Sequence, residues 1–370
     1  MSGDRRGIEP AVVLARWLLD GPARIGSGAE VGAVAGCVDG DGRPRYAYPE
    51  ITGYFLQWLA WRAACGDDVA SLSPLAASAQ HWLRRWCATE GTPARVYLDA
   101  PEPDWRNGAL FCFDLAMVFR GLAAAGRARL LEPDPALVAS LASLAEKLIE
   151  SDGAFAACVP LEPGIELPER WSTRRGGFLA KAAAGILDAA ELPGMSARLV
   201  AAAEASFGAS VEVLVTAPHV EVHPLLYGFE GVLIRSDDPR SAAVLPALAA
   251  RFDALLEVVD ALGGVPESLS GGNPAPNLAR SDVLAQTLRV GVLLARLRPG
   301  YRPAPAVLAR LRELLVSRIK PNGALPFGAD PGAAHALDNV WATVFAEQAL
   351  VLTAPGMAAS LPRNAGSLLV

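Results

Sequence analysis

Residues 48–61 read YPEITGYFLQWLAW, a polar start followed by a run of apolar and small side chains. The same pattern, a turn-rich polar stretch leading into an apolar helix, recurs five more times. The other stretches are NGALFCFDLAMVFRGL from Asn107, RRGGFLAKAAAGIL from Arg174, HPLLYGFEGVLI from His223, SDVLAQTLRVGVLL from Ser281 and DNVWATVFAEQALVL from Asp338. Their irregular spacing of roughly 50 to 70 residues predicts stacked two-helix units that close on each other.

The composition of these six helices predicts that they form an inner ring. Gly and Ala occur on all their sides, as in KAAAGIL and GFEGVLI, and a helix that is apolar all round is buried. A more amphipathic helix with a charged face precedes each of them. The predicted outer helices lie near Pro10–Leu19, Leu75–Trp86, Pro135–Ile149, Met195–Phe207, Ala242–Val259 and Pro305–Ile319. Twelve alternating helices predict an all-α fold, an (α/α)6 toroid (six-hairpin barrel) with long loops at the inner-helix N-terminal end.

A single toroid domain is predicted for residues 1–355, followed by a C-terminal tail, residues 356–370, that frays after Pro355. The chain has 370 residues, of which 52% are hydrophobic. A chain of this length ordinarily divides into domains, but in a closed toroid every repeat contributes to one continuous core.

Composition argues against several classes of protein. The net charge of -6 and the lack of a Lys/Arg cluster argue against nucleic-acid binding. No uninterrupted apolar run reaches the roughly 18 residues of a membrane span, so none is predicted. The start MSGDRRGIEP lacks the apolar region of a secretory signal, and the five isolated cysteines indicate buried thiols in a reducing compartment. We therefore expect a cytoplasmic location.

Several cofactor and enzyme motifs are absent from the sequence. It contains no GxGxxG after a strand, no P-loop, no GxSxG and no acidic DxDD-type motif of class II terpene cyclases. The scattered Cys and His residues do not have zinc-site spacing. No cofactor and no metal site are predicted.

Polar side chains recur on single faces of the inner helices and in the loops that precede them. Unpaired polar groups in apolar surroundings cost about 1–3 kcal/mol each, so these groups must line a water-filled basin or pair with each other. Long loops in a compact domain are usually functional, which places the basin at the inner-helix starts. The predicted catalytic residues are Glu50, Asp104, Glu230, Asp282, His223 and His335. The predicted substrate-binding residues are Tyr54, Trp105, Trp171, Arg174, Arg175, Tyr227, Arg280, Gln286, Asp338 and Trp341.

The mixture of residue types in this basin suits a carbohydrate. Aromatic rings stack on the apolar faces of sugars, carboxylates accept hydrogen bonds from hydroxyl groups, and Arg binds a uronate, sialate or phosphate through two hydrogen bonds. The predicted partner is therefore a carbohydrate or a sugar-derived small molecule. The sequence leaves the oligomeric state open, with a homodimer as one alternative.

Structural roles are the alternative for several of these residues. Glu50 lies in the first turn of a helix, where a carboxylate interacts favourably with the helix dipole, and Asp282 and Asp338 are at natural capping positions. The side chains of Trp105 and Trp171 are equally suited to closing the mouth of the toroid. Glu230 has the alternative of pairing with an Arg from a neighbouring helix.

Short motifs and the repeat pattern resemble the six-hairpin glycosidase-like superfamily over nearly the whole chain. YPEITGYFLQWL at residues 48–59 is similar to a segment of uncharacterised toroid proteins from bacterial surface-polysaccharide clusters. A second similarity is to the N-acylglucosamine 2-epimerases, which implies catalytic roles for His223 and His335 with Glu230 near the first. The chain departs from that family because His335 precedes its helix and because Glu50 and Tyr54 stand where the epimerases have an Arg.

Three functions remain open at this stage. The leading hypothesis is a glycoside hydrolase-like enzyme of surface-polysaccharide metabolism that uses two carboxylates. The candidate carboxylates are Glu50, Asp104, Asp114, Glu230, Asp282 and Asp338. The alternatives are a sugar 2-epimerase or isomerase that uses His223 and His335, and a non-catalytic glycan-binding or assembly protein. Fold alone does not choose among them.

Overall fold

The computed structural model describes residues 9–89, 91–99, 102–217, 221–269, 280–328, 337–355 and 365–370, and in these ranges it contains twelve α-helices. The outer helices are α1 (Glu9–Asp20), α3 (Val69–Cys87), α5 (Pro135–Ala145), α7 (Ala197–Thr216), α9 (Pro239–Leu262) and α11 (Pro305–Ser317). The inner helices are α2 (Pro49–Ala64), α4 (Cys112–Arg127), α6 (Leu179–Asp188), α8 (Val222–Ile234), α10 (Ser281–Leu297) and α12 (Val340–Leu352).

The inner helices form a closed ring. Each contacts the next in chain order, α12 returns to α2, and α1 packs against α12 from outside. Nearly every residue of the inner helices is buried, whereas the outer helices bury one stripe each. The predicted (α/α)6 toroid is therefore confirmed.

Short antiparallel strand pairs hold the loops that lead into the inner helices. Strand β1 (Cys37–Val38) pairs with β6 (Asp338–Asn339) and so joins the first repeat to the last. The other two pairs are β2 (Tyr46–Ala47) with β3 (Val96–Tyr97), and β4 (Ala109–Phe111) with β5 (Cys158–Pro160). These pairings fix the loops of successive repeats against one another at one end of the toroid.

Glycine allows α2 and α4 to approach each other closely. A Cβ atom on Gly53 would lie 2.5 Å from the Met117 carbonyl oxygen, and one on Gly121 would lie 2.5 Å from the Gly53 carbonyl oxygen. Both obstacles are backbone atoms, which cannot move away without separating the helices. The small residues of the inner ring therefore serve close backbone contact, as the sequence predicts.

Among the described residues, α7 is the single helix that is long and apolar enough to cross a membrane by length and composition. As a helix of the outer layer, α7 packs against the inner helices α6 and α8 and against the outer helix α9. Length and composition are weak evidence for a span, since a helix partly buried in a core meets the same criteria.

Residues 365–370 differ from the frayed tail that the sequence predicts. Ala365–Leu368 form a 3₁₀ turn that contacts α8 and α2, and Leu369 and Val370 are buried. Gly366 packs so closely on the Leu233 carbonyl that a Cβ atom there would overlap it. Apolar side chains and the close Gly contact hold this segment inside the ring, and we call residues 366–370 the inner plug.

The five cysteines are free thiols, but they are not uniformly buried. Cys37 and Cys112 are buried, Cys87 and Cys158 are half-buried, and Cys65 is exposed just after α2. The expectation of buried thiols therefore holds for two of the five.

Candidate active site

A cavity of about 610 Å³ opens at the N-terminal ends of the inner helices, and we call it the central cavity. Residues at or next to the start of all six inner helices reach it, because the ring brings these ends together. Its lining includes Arg45, Tyr46, Tyr48, Glu50, Arg95, Tyr97, Glu102, Arg106, Phe113, Asp114, Arg170, Trp171, Phe178, His223, Tyr227, Arg280, Phe327, Asn339 and Trp341.

Two carboxyl groups, Glu50 and Asp114, occupy neighbouring positions in the cavity wall. Glu50 lies in the first turn of α2, where Pro49 begins the helix, and Asp114 lies in the first turn of α4. The Tyr48 hydroxyl lies beside both and lowers the pKa of each by hydrogen bonding. Asp114 was a candidate for hydrolysis but not among the six predicted catalytic residues. Its position in the first turn of an inner helix, close to the start of α2, is the signal that could have placed it among them.

The surroundings separate the two pKa values. Burial raises the pKa of Asp114 well above its usual range, and the neighbouring charge of Glu50 raises it further. Burial also raises the pKa of Glu50, but Tyr48, Lys181 and Arg95 oppose that rise. Asp114 is consequently the member of the pair that keeps its proton to the higher pH, and Glu50 is the member that ionises first.

His223 enters the same cavity from the start of α8. Its Nδ1 atom lies 2.7 Å from Gln286 Oε1, which as assigned accepts the Nδ1 proton and leaves Nε2 as an acceptor. Burial, together with the positive charge of Arg280, lowers the pKa of His223 to about 3. The imidazole is therefore neutral at physiological pH. Gln286 is fully buried and does not line the cavity, so its predicted contact with substrate is corrected to a hydrogen bond that orients His223.

Asp282 is a buried anchor for two cavity side chains. Its Oδ2 atom lies 2.6 Å from Arg280 Nη2 and accepts a hydrogen bond of 3.0 Å from Trp341 Nε1. Burial opposes ionisation, but Arg280 and His223 outweigh it and lower the pKa of Asp282 to about 2. Asp282 thus positions Arg280 and Trp341, which line the cavity. Because Asp282 is itself fully buried and absent from the lining, its predicted catalytic role is corrected to a supporting one.

Aromatic rings form one side of the cavity. Trp171 packs edge-on against His223, with ring centroids 5.5 Å apart, and Tyr227 lies 4.4 Å from the same imidazole. Phe113 and Phe178 extend this surface. The predicted aromatic contribution of Trp171, Tyr227 and Trp341 is therefore present in the lining.

Glu230 and Tyr54 do not line the cavity but lie in a fully buried cluster beneath it. Glu230 pairs with Lys181 of α6, with Nζ and Oε2 2.8 Å apart, and with Arg289 of α10. The Lys181 ammonium lies 4.8 Å and 4.9 Å from the ring centroids of Tyr54 and Tyr227. Glu230 therefore has the structural role that was its alternative in the sequence, because it pairs with Arg289 from a neighbouring helix. The predicted catalytic role of Glu230 and the predicted substrate contact of Tyr54 are therefore corrected to parts of the buried core.

Asp104, Trp105 and Asp338 are also absent from the cavity lining. Asp104 begins the 3₁₀ turn Trp105–Gly108 and binds Arg95 and Arg106, so it holds two arginines that do line the cavity. Trp105 lies behind Arg106, with its ring 4.8 Å from the guanidinium carbon. Asp338 lies in β6 and forms a 2.5 Å ion pair with Lys320.

Arg174 and Arg175 lie on the surface, away from the cavity. Arg174 pairs with Glu169, and Arg175 is 2.5 Å from both Glu150 and Asp152. These surface carboxylates account for their positions, so the predicted contact with substrate is corrected. His335 lies outside the described residues.

Among the described residues, no group of three or more His, Cys, Asp or Glu side chains could hold a metal ion.

Solved structures of other proteins share the toroid fold of this chain. No family model matches the chain, and no curated protein matches its sequence. A sugar epimerase from a ruminal bacterium is similar in structure, with a TM-score of 0.66, 10% identity and coverage of 93% of this chain and 98% of that chain. An unsaturated glucuronyl hydrolase specific for heparin has a TM-score of 0.62, 12% identity and coverage of 94% and 95%.

The same architecture also occurs outside sugar enzymes. A type II terpene cyclase from Scytonema matches with a TM-score of 0.58 and 13% identity, covering 95% of this chain and 99% of that chain. At such low identities the comparisons establish the toroid fold, and the reaction has to be argued from the cavity.

Proposed function

We propose that this protein is a sugar-processing enzyme of the glycoside hydrolase type, with Glu50 and Asp114 as its acid–base pair. The observation that carries the proposal is the pairing of two carboxyls whose pKa values differ, in a cavity walled by Trp171, Tyr227 and Trp341. Two carboxyl groups of this kind are what cleavage of a glycosidic bond requires. Hydrolase and epimerase relatives in structure support a sugar substrate.

In this proposal Asp114 donates its proton to the glycosidic oxygen as the C–O bond breaks. In the same step Glu50 either takes a proton from the water that attacks the sugar carbon or attacks that carbon itself. In the second case water, deprotonated by the Asp114 carboxylate, then cleaves the bond between the sugar and Glu50. Neutral His223 offers its Nε2 atom as an acceptor for a sugar hydroxyl, and the aromatic side of the cavity stacks on the sugar ring. Arg280 and Trp341, both held by Asp282, complete the substrate contacts.

The test is turnover by purified protein of a panel of neutral and acidic glycosides, with product anomers followed by NMR. We expect Asp114→Asn and Glu50→Gln each to lower kcat by about 100-fold or more, since each removes one member of the pair. Asp152→Asn is the matched control, because this carboxylate lies on the surface and pairs with Arg175. Unchanged turnover in either cavity variant contradicts the proposal.

Running the same assay in D₂O addresses the epimerase alternative. Deuterium at a sugar carbon without cleavage would assign proton transfer at carbon and overturn the hydrolase mechanism. Binding of glycans without turnover of either kind would favour a binding or assembly protein. A cytoplasmic location and a role in surface-polysaccharide metabolism remain part of the proposal, testable by cell fractionation and by the glycan phenotype of a deletion strain.

A further inference from the structure

Three arginines line one side of the central cavity, and two of them share a single carboxylate. Arg95 Nη1 lies 3.0 Å from one oxygen of Asp104, and Arg106 Nη1 lies 3.1 Å from the other. Arg170 also lines the cavity, and within the described part of the chain it has no carboxylate partner. We call Arg95, Arg106 and Arg170 the arginine wall.

Two members of the arginine wall are held in place by the protein itself. The Arg95 guanidinium lies 4.6 Å and 5.5 Å from the ring centroids of Tyr46 and Tyr48, and only 17% of its side chain is exposed. Arg106 stacks on the Trp105 ring at 4.8 Å. Aromatic contacts and Asp104 therefore leave Arg95 and Arg106 with little conformational entropy to lose. Arg170 is exposed and lies over the Trp105 ring at 6.0 Å.

The other two arginines of the cavity differ because each has its own carboxylate. Arg45 pairs with Glu102, and Arg280 pairs with Asp282. The arginine wall instead has three guanidinium groups against one directly bound carboxylate, Asp104, with Glu50 close enough for Arg95 and Arg106 to favour its ionised form. Like charges in a partly desolvated cavity repel each other, and an anion bound among them removes that cost.

We propose that the arginine wall binds an anionic substituent of the sugar: a carboxylate, sulfate or phosphate group. Guanidinium groups bind each of these through paired, charge-assisted hydrogen bonds. The substrate class of the enzyme is then an acidic sugar. This inference rests on the proposed function, because it takes the bound sugar to be the substrate of Glu50 and Asp114. Binding itself requires no turnover.

The test measures binding to the Asp114→Asn protein by calorimetry, so that no sugar is consumed. The probes are glucuronate, glucose 6-sulfate, glucose 6-phosphate and glucose, which share one ring and differ in charged group. We expect at least one acidic sugar to bind about tenfold or more tightly than glucose, and its affinity to fall between about 50 and 500 mM NaCl. The rank order of the three acids identifies the anionic group.

Arg106→Gln and Arg170→Gln in the same background are expected to weaken that binding about tenfold each. Arg175→Gln is the control, because its guanidinium pairs with Asp152 outside the cavity. Circular dichroism checks that every variant is folded. Equal binding of glucose and all three acids, no binding of any acid at about 50 mM, or unchanged affinity in both arginine variants overturns the proposal.

The two proposals fail in different ways. Wild-type turnover of neutral and acidic glycosides with equal kcat/KM would leave the hydrolase proposal standing and contradict the arginine wall. If the protein binds an acidic sugar tightly but cleaves no glycoside, the result contradicts the hydrolase proposal and supports the arginine wall as an anion-binding site.

Discussion

Lys181 and Glu230 lie face to face, with Nζ and Oε2 2.8 Å apart, at the fully buried centre of the toroid. Arg289 contacts the same carboxylate, and both cations also donate to the Val370 carbonyl oxygen of the inner plug. The cluster therefore joins three inner helices to the plug. Because the Lys181 ammonium also lies against the Tyr227 ring, the cluster supports the cavity from below.

Glu230→Gln is expected to lower the free energy of unfolding by about 3–5 kcal/mol, because it leaves Arg289 as a buried cation without this carboxylate. Burial already lowers the pKa of Lys181 to about 7, so without Glu230 its amine is expected to be neutral. Chemical denaturation checks this. Glu204→Gln is the control, since this half-exposed carboxylate pairs with Arg240 at the surface and its loss costs at most about 1 kcal/mol. A similar small change in both variants would contradict a central role for the cluster.

Leu369→Ala is expected to lower the free energy of unfolding by about 2–5 kcal/mol, because the Leu369 side chain is fully buried within the inner plug. The measurement is again the denaturation midpoint. Val213→Ala removes a comparable apolar side chain from the exposed face of α7 and is expected to change stability by no more than about 0.5 kcal/mol. Equal midpoints for the two variants would show that residues 366–370 do not pack inside the ring in solution.

The layering of the toroid is readable from the sequence because its cause is local. Helices with Gly and Ala on all sides have to be buried, and the six that show this pattern form the inner ring. The cluster was not predicted, although a lone Lys in KAAAGIL needs a partner once its helix is buried. The frayed tail was predicted despite the apolar residues SLLV at 367–370, which are a signal for burial.

The arginine wall was not predictable from the same patterns. Arg95 and Arg106 lie in loops without periodicity, and their position depends on the pairing of β2 with β3 and on the Asp104 turn. For that reason Arg174 and Arg175 were chosen from the sequence, whereas Arg170, a few residues earlier, is the one that reaches the cavity. Loop side chains are placed by long-range contacts that a single sequence does not display.

Gly53→Ala is expected to destabilise the protein by about 1–3 kcal/mol or more, because the new Cβ atom would lie 2.5 Å from the Met117 carbonyl oxygen. Thermal unfolding measures the loss. Gly208→Ala is the matched control in helix α7, where the nearest atom, Arg240 Nη1, is 3.7 Å away. Gly208→Ala should raise the free energy of unfolding by up to about 1 kcal/mol, because Ala has a higher helix propensity than Gly. Destabilisation of the same size in both would argue against close contact between α2 and α4.

His223 is expected to remain neutral in the folded protein down to about pH 4, since its pKa is lowered to about 3. The unfolded chain binds a proton near pH 6.5, so His223 contributes stability at neutral pH that is lost progressively as the pH falls from about 6.5 towards 3. NMR of the imidazole nitrogens, assigned with His223→Asn, checks the first statement. An imidazole that gains its proton near pH 6.5 would contradict the buried geometry with Gln286.

The pH dependence of kcat tests the roles of Glu50 and Asp114. Activity requires ionised Glu50 and protonated Asp114, so the profile should be bell-shaped. The acid limb should lie above pH 4.5, because burial raises the pKa of Glu50, and the alkaline limb should follow ionisation of Asp114.

Tyr48→Phe separates this assignment from other sources of pH dependence. The Tyr48 hydroxyl stabilises both carboxylates, so its removal should raise both pKa values and move both limbs to higher pH. Tyr301→Phe is the control, since that hydroxyl binds Asp253 on the outer layer, 2.7 Å away. Limbs that stay in place in Tyr48→Phe would assign the titrating groups to residues other than this pair.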